Sequence, residues 1–379
     1  MDAEVRSLDN FDPKIRHFVE YVMLKGEISM FPGSVNIYDA HSGCPAGMNK
    51  GRLDRFKMSI PYAGRSVAWE IIFDCTRPTE PPDFIFGTEH EDFLPPMNEI
   101  ESLLYWDANR RESLHLLIKE LLLYYKEHNI QCAGTNIRLQ QDIMSLLWQA
   151  NLKKDDFEVW APKIENRLGI IHIVTNLNVD FSQLPAFLVQ GNPGPDRAIL
   201  TFSYSSPDST RISPELHLSP KIEHALGGSS CLKIPSLTSG TLIGDYVICI
   251  QKLLKNKVTD VIRGVEKRKE YTAAFLSHFG RSVLEYDLET FSTMSFLFEW
   301  NDFFFTFTVT LPLYFPGDQP QFLFQSVYHE SRGRPYFQID KDFPYSPRWS
   351  ANEMAVRAKA HILETIGKFQ RASVLAKQK

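Results

Sequence analysis

Cysteine thiols are the strongest intrinsic nucleophiles and soft-metal ligands a chain can carry, and this one has five, at positions 44, 75, 132, 231 and 249. A structural zinc site would call for Cys-x-x-Cys pairs or histidines at ligand spacing. A thioester-forming enzyme would need a thiolate in an open, activating loop. None of the cysteines stands in such a pair or beside a histidine ligand pattern, so they read as reduced thiols of a cytoplasmic or nuclear protein. No His, Asp and Glu constellation at metal-ligand spacing is present, and spacing therefore names no metal, no cofactor and no catalytic residue. Gly227-Gly228-Ser229-Ser230 has the glycine content of a phosphate cradle. It lacks the Lys-Ser/Thr ending and a clear feeding strand, and reads as a tight turn.

A different chemistry, that of gripping another chain, is offered by Tyr314-Phe315-Pro316-Gly317-Asp318-Gln319-Pro320 and Phe343-Pro344-Tyr345-Ser346-Pro347-Arg348-Trp349. Aromatic faces beside fixed proline rings suit an extended, proline-bearing segment, and Tyr and Arg are enriched at interface hot spots. The candidate partner-binding residues are Phe315, Pro316, Pro320, Tyr345, Arg348 and Trp349. For Phe315 and Trp349 the competing reading is packing within their own core.

These segments belong to a repeated unit. Arg77-Pro78-Thr79-Glu80-Pro81-Pro82-Asp83-Phe84-Ile85-Phe86, followed by Trp106-Asp107-Ala108-Asn109, recurs as the segment from Phe315 through Pro320-Gln321-Phe322-Leu323-Phe324, followed by Trp349-Ser350-Ala351-Asn352. Pro82 and Pro320 lie 238 residues apart and Trp106 and Trp349 lie 243 apart, the mark of an internal duplication with one loop of different length. Paired prolines fix φ and remove N–H donors, so each makes a stiff corner that cannot continue a central strand. Phe84 and Phe86, like Phe322 and Phe324, then share one face of a short strand. After each tryptophan a helix should begin, with Asp107 and Ser350 as N-caps and Ser350 with Glu353 as a capping box.

The remaining elements follow from periodicity. Asp12-Pro13 predicts a helix start, with Ile15, Phe18, Val19, Val22 and Met23 on one face and Gly26 at its end. Alternation over 55–60 and 67–73, with turns at Pro32-Gly33-Ser34 and Ala63-Gly64-Arg65, predicts an antiparallel meander. In the middle third, 137–148 reads as a helix, 168–174 and 198–204 as strands, and Asn192-Pro193-Gly194-Pro195-Asp196 as a turn. A helix capped by Asp245 and carrying residues to Ile262 follows, then a second helix over 265–279 ended by Gly280. Strands are expected over 283–286 and 294–309, and a frayed tail over 374–379. The net charge of −5 and pI near 6.1 exclude a broad nucleic-acid footprint. No apolar run reaches membrane-spanning length, and the first twelve residues lack a signal-peptide core.

The order helix, meander, proline corner and Trp-led helix resembles the ubiquitin-conjugating-enzyme fold. In that fold a Tyr-Pro-x-x-Pro-Pro corner precedes the active-site loop, and a His-Pro-Asn triplet and the catalytic cysteine lie before a Trp-Ser-Pro helix start. Here 87–105 and 325–348 contain neither a cysteine nor His-Pro-Asn, since His90 and His329 are each followed by Glu. Cys75 precedes its corner on an expected strand and reads as a buried structural thiol. Both copies therefore look like ubiquitin E2 variant (UEV, RWD-like) modules that keep the scaffold without the nucleophile. The expected fold is α+β: modules at 1–130 and 264–379, each a helix, a meander and a C-terminal helix, with a degenerate third at 131–263.

Three strings make the resemblance closer: Leu218-Ser219-Pro220-Lys221-Ile222-Glu223-His224-Ala225-Leu226-Gly227-Gly228-Ser229-Ser230, Glu270-Tyr271-Thr272-Ala273-Ala274-Phe275-Leu276-Ser277-His278-Phe279-Gly280, and Asp342-Phe343-Pro344-Tyr345-Ser346-Pro347-Arg348-Trp349. They are similar to the brain-and-reproductive-organ-expressed (BRE) family over essentially the whole chain. The resemblance implies a non-catalytic scaffold of the BRISC deubiquitinase and the breast-cancer-susceptibility A complex, specific for lysine-63-linked ubiquitin chains. Implied partners are a JAMM zinc deubiquitinase, an Abraxas-like scaffold and a MERIT-family von Willebrand A-like adaptor. Implied settings are the cytoplasm and nucleus, with roles in the DNA damage response, DNA repair, apoptosis and the cell cycle. Two other functions compete: an active conjugating enzyme using an unrecognised cysteine, and a stand-alone ubiquitin-binding E2 variant.

Overall fold

The computed structural model describes residues 8–25, 28–30, 33–44, 52–87, 92–164, 167–189, 196–209, 211–228, 232–331 and 333–376. Gly26, Pro32, the turn residues 192–195, Ser229, Ser230 and Cys231 lie outside the described residues. In chain order the elements begin with α1 (Arg16–Lys25), β1 (Asn36–His41), β2 (Arg55–Tyr62), β3 (Arg65–Ile72) and β4 (Asp83–Phe86). The helices α2 (Glu101–Leu104), α3 (Ser113–Ala133) and α4 (Ile137–Trp148) come next. Then follow β5 (Phe157–Trp160), β6 (Lys163–Ile164), β7 (Arg167–Leu168), β8 (Ile171–Asn176), α5 (Ala186–Val189), β9 (Ala198–Tyr204), β10 (Ile212–Leu218) and α6 (Pro220–Ala225). Last are α7 (Ile243–Phe279), β11 (Val283–Tyr286), β12 (Thr293–Trp300), β13 (Phe303–Thr310), β14 (Gln321–Ser331), β15 (Arg334–Asp340) and α8 (Ala351–Ala376). The fold is α+β with antiparallel sheets.

The chain divides into two compact units, one made of Met1–Asn178, Arg197–Leu218 and Ile234–Gln251, the other of Val179–Asp196, Ser219–Lys233 and Lys252–Lys379. The first unit holds two four-stranded sheets, in the orders β1-β2-β3-β4 and β10-β9-β8-β5. Alternation on β2 puts Phe56, Met58, Ile60 and Tyr62 in the core, where Leu114, Leu117, Ile118, Leu121 and Tyr125 of α3 meet them. Buried Glu158 on β5 joins the two sheets: it accepts from Ser29 Oγ (2.9 and 3.0 Å), Met30 N (2.8 Å) and Ala63 N (2.8 Å). Asn129 of α3 accepts from Ala161 N at 2.8 Å. A charge taken out of water survives only with such partners.

The second unit is a five-stranded meander, β11-β12-β13-β14-β15. Its core is mainly aromatic, with Phe296, Phe305, Phe307, Phe322, Phe324 and Phe369 among its buried rings. Val283–Tyr286 and Phe279 end as expected, and Ser350 Oγ accepts from Glu353 N at 3.3 Å, so Ser350 caps α8.

The duplication is visible in the hydrogen-bond register. Ile71 faces Phe84 and Trp69 faces Phe86, while Val309 faces Phe322 and Phe307 faces Phe324; each residue is displaced by 238 from its counterpart. The same displacement carries Phe56 opposite Ile71 onto Met294 opposite Val309, and Tyr62 opposite Arg65 onto Trp300 opposite Phe303. Both intervening two-residue turns hold positive φ at their centres, 47° and 74° at Ala63 and Gly64, 49° and 58° at Asn301 and Asp302. That is the turn geometry whose twist suits a hairpin.

Several expectations are corrected. Asp107 does not cap a helix: its carboxylate accepts from Asn109 N at 2.9 Å in a local turn, and α3 begins only at Ser113. The two helices expected over 245–262 and 265–279 are one continuous α7. Gly264 does not interrupt it; a Cβ there would stand 2.7 Å from Leu313 O, so the glycine serves close approach. Cys75 lies in a turn past the end of β3 and is half-buried, because Asp74 takes Thr76 N at 2.8 Å and ends the strand. The run over 294–309 is two strands, and α8 continues to Ala376. Beyond the second corner, the strand expected at Phe322 and Phe324 runs on to Ser331 and pairs antiparallel with β15.

Candidate partner-binding surface

The second proline corner is fixed by one face of α7. Arg268 is 2% exposed and donates from Nη1 to Leu313 O (2.8 Å) and Pro312 O (3.2 Å), and from Nε to Thr290 O (2.9 Å). Gly264, four residues earlier, lets the helix approach that same Leu313 carbonyl. Three residues after Arg268, Tyr271 places its ring 4.7 Å from that of Phe315 and donates to Trp349 O. Spacings of four and three put these residues on one helix face. Burial holds the Arg268 guanidinium below its ordinary range, although arginine keeps its charge at any working pH.

The loop over 341–350 closes on the corner from the other side. Tyr345 donates its hydroxyl to Pro316 O, and its ring lies 6.1 Å from Phe315 and 6.2 Å from Trp349. Gln319 Nε2 donates to Phe343 O at 3.2 Å, and Phe343 packs on Phe322 with 4.3 Å between ring centres. Arg357 of α8 lies 4.4 Å over the Trp349 ring. Burial raises the Tyr345 hydroxyl well above the ordinary tyrosine range, with Tyr271 and Asp318 adding to it. It therefore stays protonated and donating.

The six candidate residues are thus brought together, but with different roles. Phe315 and Pro320 are buried in the core. Pro316, Tyr345 and Trp349 are half-buried, and Arg348 is exposed beside exposed Pro344 and Pro347. The exposed edges form a ledge of proline and aromatic rings, with the Arg348 guanidinium at its rim and that of Arg357 over the Trp349 face. The first corner is tied to its tryptophan differently: Trp106 Nε1 donates to Thr79 O at 3.1 Å, and its ring packs on Phe18 at 5.1 Å.

Neither interval between corner and tryptophan supplies a thiol. Among the described cysteines, Cys132 is buried, Cys249 exposed, and Cys44 and Cys75 half-buried. The last two come together with Asp54, a grouping that linear spacing did not suggest. Hydrogen bonding to Cys75, with burial next, pushes the Cys44 thiol up to about 11. That is the reverse of the activation a conjugating nucleophile needs.

The family described as Brain and reproductive organ-expressed protein (BRE) matches residues 9–330. The chain belongs to the BRE family. A Danio rerio relative named BRISC and BRCA1-A complex member 2 is 44% identical over 371 residues, covering 96% of each chain. A Branchiostoma floridae relative of the same name is 41% identical over 376 residues, covering 97% of each. Among the described residues no helix is long and apolar enough to cross a membrane.

Proposed function

We propose that this chain is a non-catalytic scaffold subunit of BRISC and the BRCA1-A complex, a deubiquitinating assembly specific for lysine-63-linked ubiquitin chains. The names of its relatives support membership in those complexes. The partners follow from the family resemblance. In this reading the chain bridges a JAMM zinc deubiquitinase and Abraxas-like core to a MERIT-family adaptor, and the hydrolytic metal belongs to the partner. The cytoplasm and nucleus are its settings, and DNA repair, apoptosis and cell-cycle control its processes.

The observation that carries the non-catalytic part is the duplicated register itself. Two copies of one corner are held in the same pairing 238 residues apart, and neither contains a cysteine between corner and tryptophan. We read both as E2 variant modules, at 1–130 and 264–379. The 131–263 segment is a degenerate third: α4, the β5-β8-β9-β10 meander and the start of α7 repeat the helix, meander, helix order. The ledge of Pro316, Tyr345, Arg348 and Trp349 is the proposed seat of a proline-bearing adaptor segment.

A ubiquitin thioester assay tests the non-catalytic reading. The full chain, charged with activating enzyme, ATP and ubiquitin, should yield no reductant-sensitive adduct. An adduct lost on replacing one cysteine would establish a conjugating enzyme instead. Saturable binding of free ubiquitin, with no retention of the deubiquitinase, would favour the stand-alone receptor.

A further inference from the structure

At one end of the first sheet the antiparallel register brings three strand ends side by side. His41 closes β1 opposite Arg55, and Arg55 in turn faces Ile72, the last residue of β3. Cys44 lies three residues past β1, Asp54 one before β2 and Cys75 three past β3. Their donor atoms, two thiol sulfurs and a carboxylate oxygen, all lie within 4.8 Å of one another, with Cys44 Sγ 3.7 Å from Asp54 Oδ2.

Asp54 supplies a second, independent observation. It is 2% exposed, yet among the described residues no lysine or arginine pairs with it. Oδ1 accepts from Gly43 N at 2.7 Å, while among the described residues Oδ2 meets the weak Cys44 thiol donor alone. A carboxylate so deeply placed ordinarily has a cation or strong donors on both oxygens. A carboxylate oxygen of Asp54 lies within 4.8 Å of both thiol sulfurs.

We propose that Cys44, Asp54 and Cys75 form a binding site for a thiophilic divalent cation of the zinc type. Tetrahedral zinc, with bonds of about 2.3 Å to sulfur and about 2.1 Å to oxygen, sets ligand atoms about 3.6 to 3.8 Å apart. The Cys44 and Asp54 atoms already stand at that separation. Binding breaks the two S–H bonds, forms two metal–thiolate bonds and one metal–carboxylate bond, and releases two protons to solvent. A water fills the fourth position, as in sites with three protein ligands. The resulting centre carries one net negative charge. Arg55, whose buried Nε has no hydrogen-bond partner among the described residues, lies against Gly43 and offsets that charge. Such a centre would cross-link the ends of three neighbouring strands without any role in hydrolysis.

The test uses the full chain, reduced, stripped with chelator and titrated with cobalt(II) as a spectroscopic probe and then with zinc(II). The expected result is one cobalt per chain with a thiolate-to-metal charge-transfer band, bleached by zinc. Cys44→Ser, Cys75→Ser and Asp54→Asn should each weaken binding at least tenfold, while Cys132→Ser and Cys249→Ser leave it unchanged. Alkylation of the wild-type chain keeps the question open to refutation if a variant misfolds. Zinc should protect Cys44 and Cys75 but not exposed Cys249, and chelator should restore their reactivity. The absence of a thiolate band, equal alkylation with and without zinc, or a Cys44–Cys75 disulfide as the isolated state would each overturn the proposal.

Discussion

Replacing Arg268 by Met should unfold the second unit at a markedly lower temperature and loosen the ledge of the proline corner. The guanidinium is 2% exposed and makes three hydrogen bonds to the carbonyls of Thr290, Pro312 and Leu313. Hydrogen bonds to a charged group are worth about 1.5 to 3 kcal/mol each, and buried acceptors left unpaired each cost about 1 to 3 kcal/mol. Relief of the cation's own burial offsets part of that loss, so about 3 to 5 kcal/mol is the expected net destabilisation. At about 2 to 4 °C per kcal/mol for a domain of this size class, the transition should fall by about 10 °C. Arg268→Lys should recover little, because an ammonium cannot span three carbonyls. The assay is urea and thermal unfolding followed by tryptophan fluorescence, with hydrogen exchange reporting on amides over 311–320. A variant within 1 kcal/mol of wild type, with unchanged exchange there, would refute the clamp.

Three further outcomes follow. Tyr345→Ala with Arg348→Ala should keep the fold and weaken adaptor binding by on the order of 2 kcal/mol or more, measured by calorimetry, and equal affinity would remove the ledge from the interface. Gly264→Ala should destabilise by more than the helix-propensity gain of about 1 kcal/mol it brings, since its Cβ would stand 2.7 Å from Leu313 O; a more stable variant would show that α7 can shift away. His172, buried and facing Arg65 at 3.0 Å, is held down to about 4, first by burial and then by that guanidinium. Because its folded value lies below the unfolded one, this contribution is complete above about pH 6.5 and is lost as pH falls toward 4. Denaturant titrations of His172→Gln should lack that part of the pH dependence, and an unchanged profile would exclude His172 as its source.

Much of the fold was legible because alternation and turn chemistry agree. The 238-residue displacement read from prolines and phenylalanines is the displacement of the strand register. It survives because a one-residue slip would turn Phe322 and Phe324 out of the core. Asp107 misled because an aspartate able to cap a helix can equally hold a local turn. The break expected at Gly264 failed for a tertiary reason: contact with the Leu313 carbonyl outweighs the intrinsic cost of glycine in a helix. Arg268 stands in the basic run Lys267-Arg268-Lys269, and nothing local distinguishes it from the lysines on either side. The grouping of Cys44, Asp54 and Cys75 depends on three strands ending together, which pairwise spacing does not encode. Of the ledge, residue types and loop placement were readable; which of the six candidates are buried was set by the aromatic core beneath them.

The most direct measurement is co-purification of the deubiquitinase core with the MERIT-family adaptor, carried out with and without this chain and quantified by native mass spectrometry. The scaffold account predicts that the adaptor stays with the core only when the chain is present, and that the chain carries no covalently attached ubiquitin. Retention of the adaptor at equal stoichiometry without the chain would contradict it.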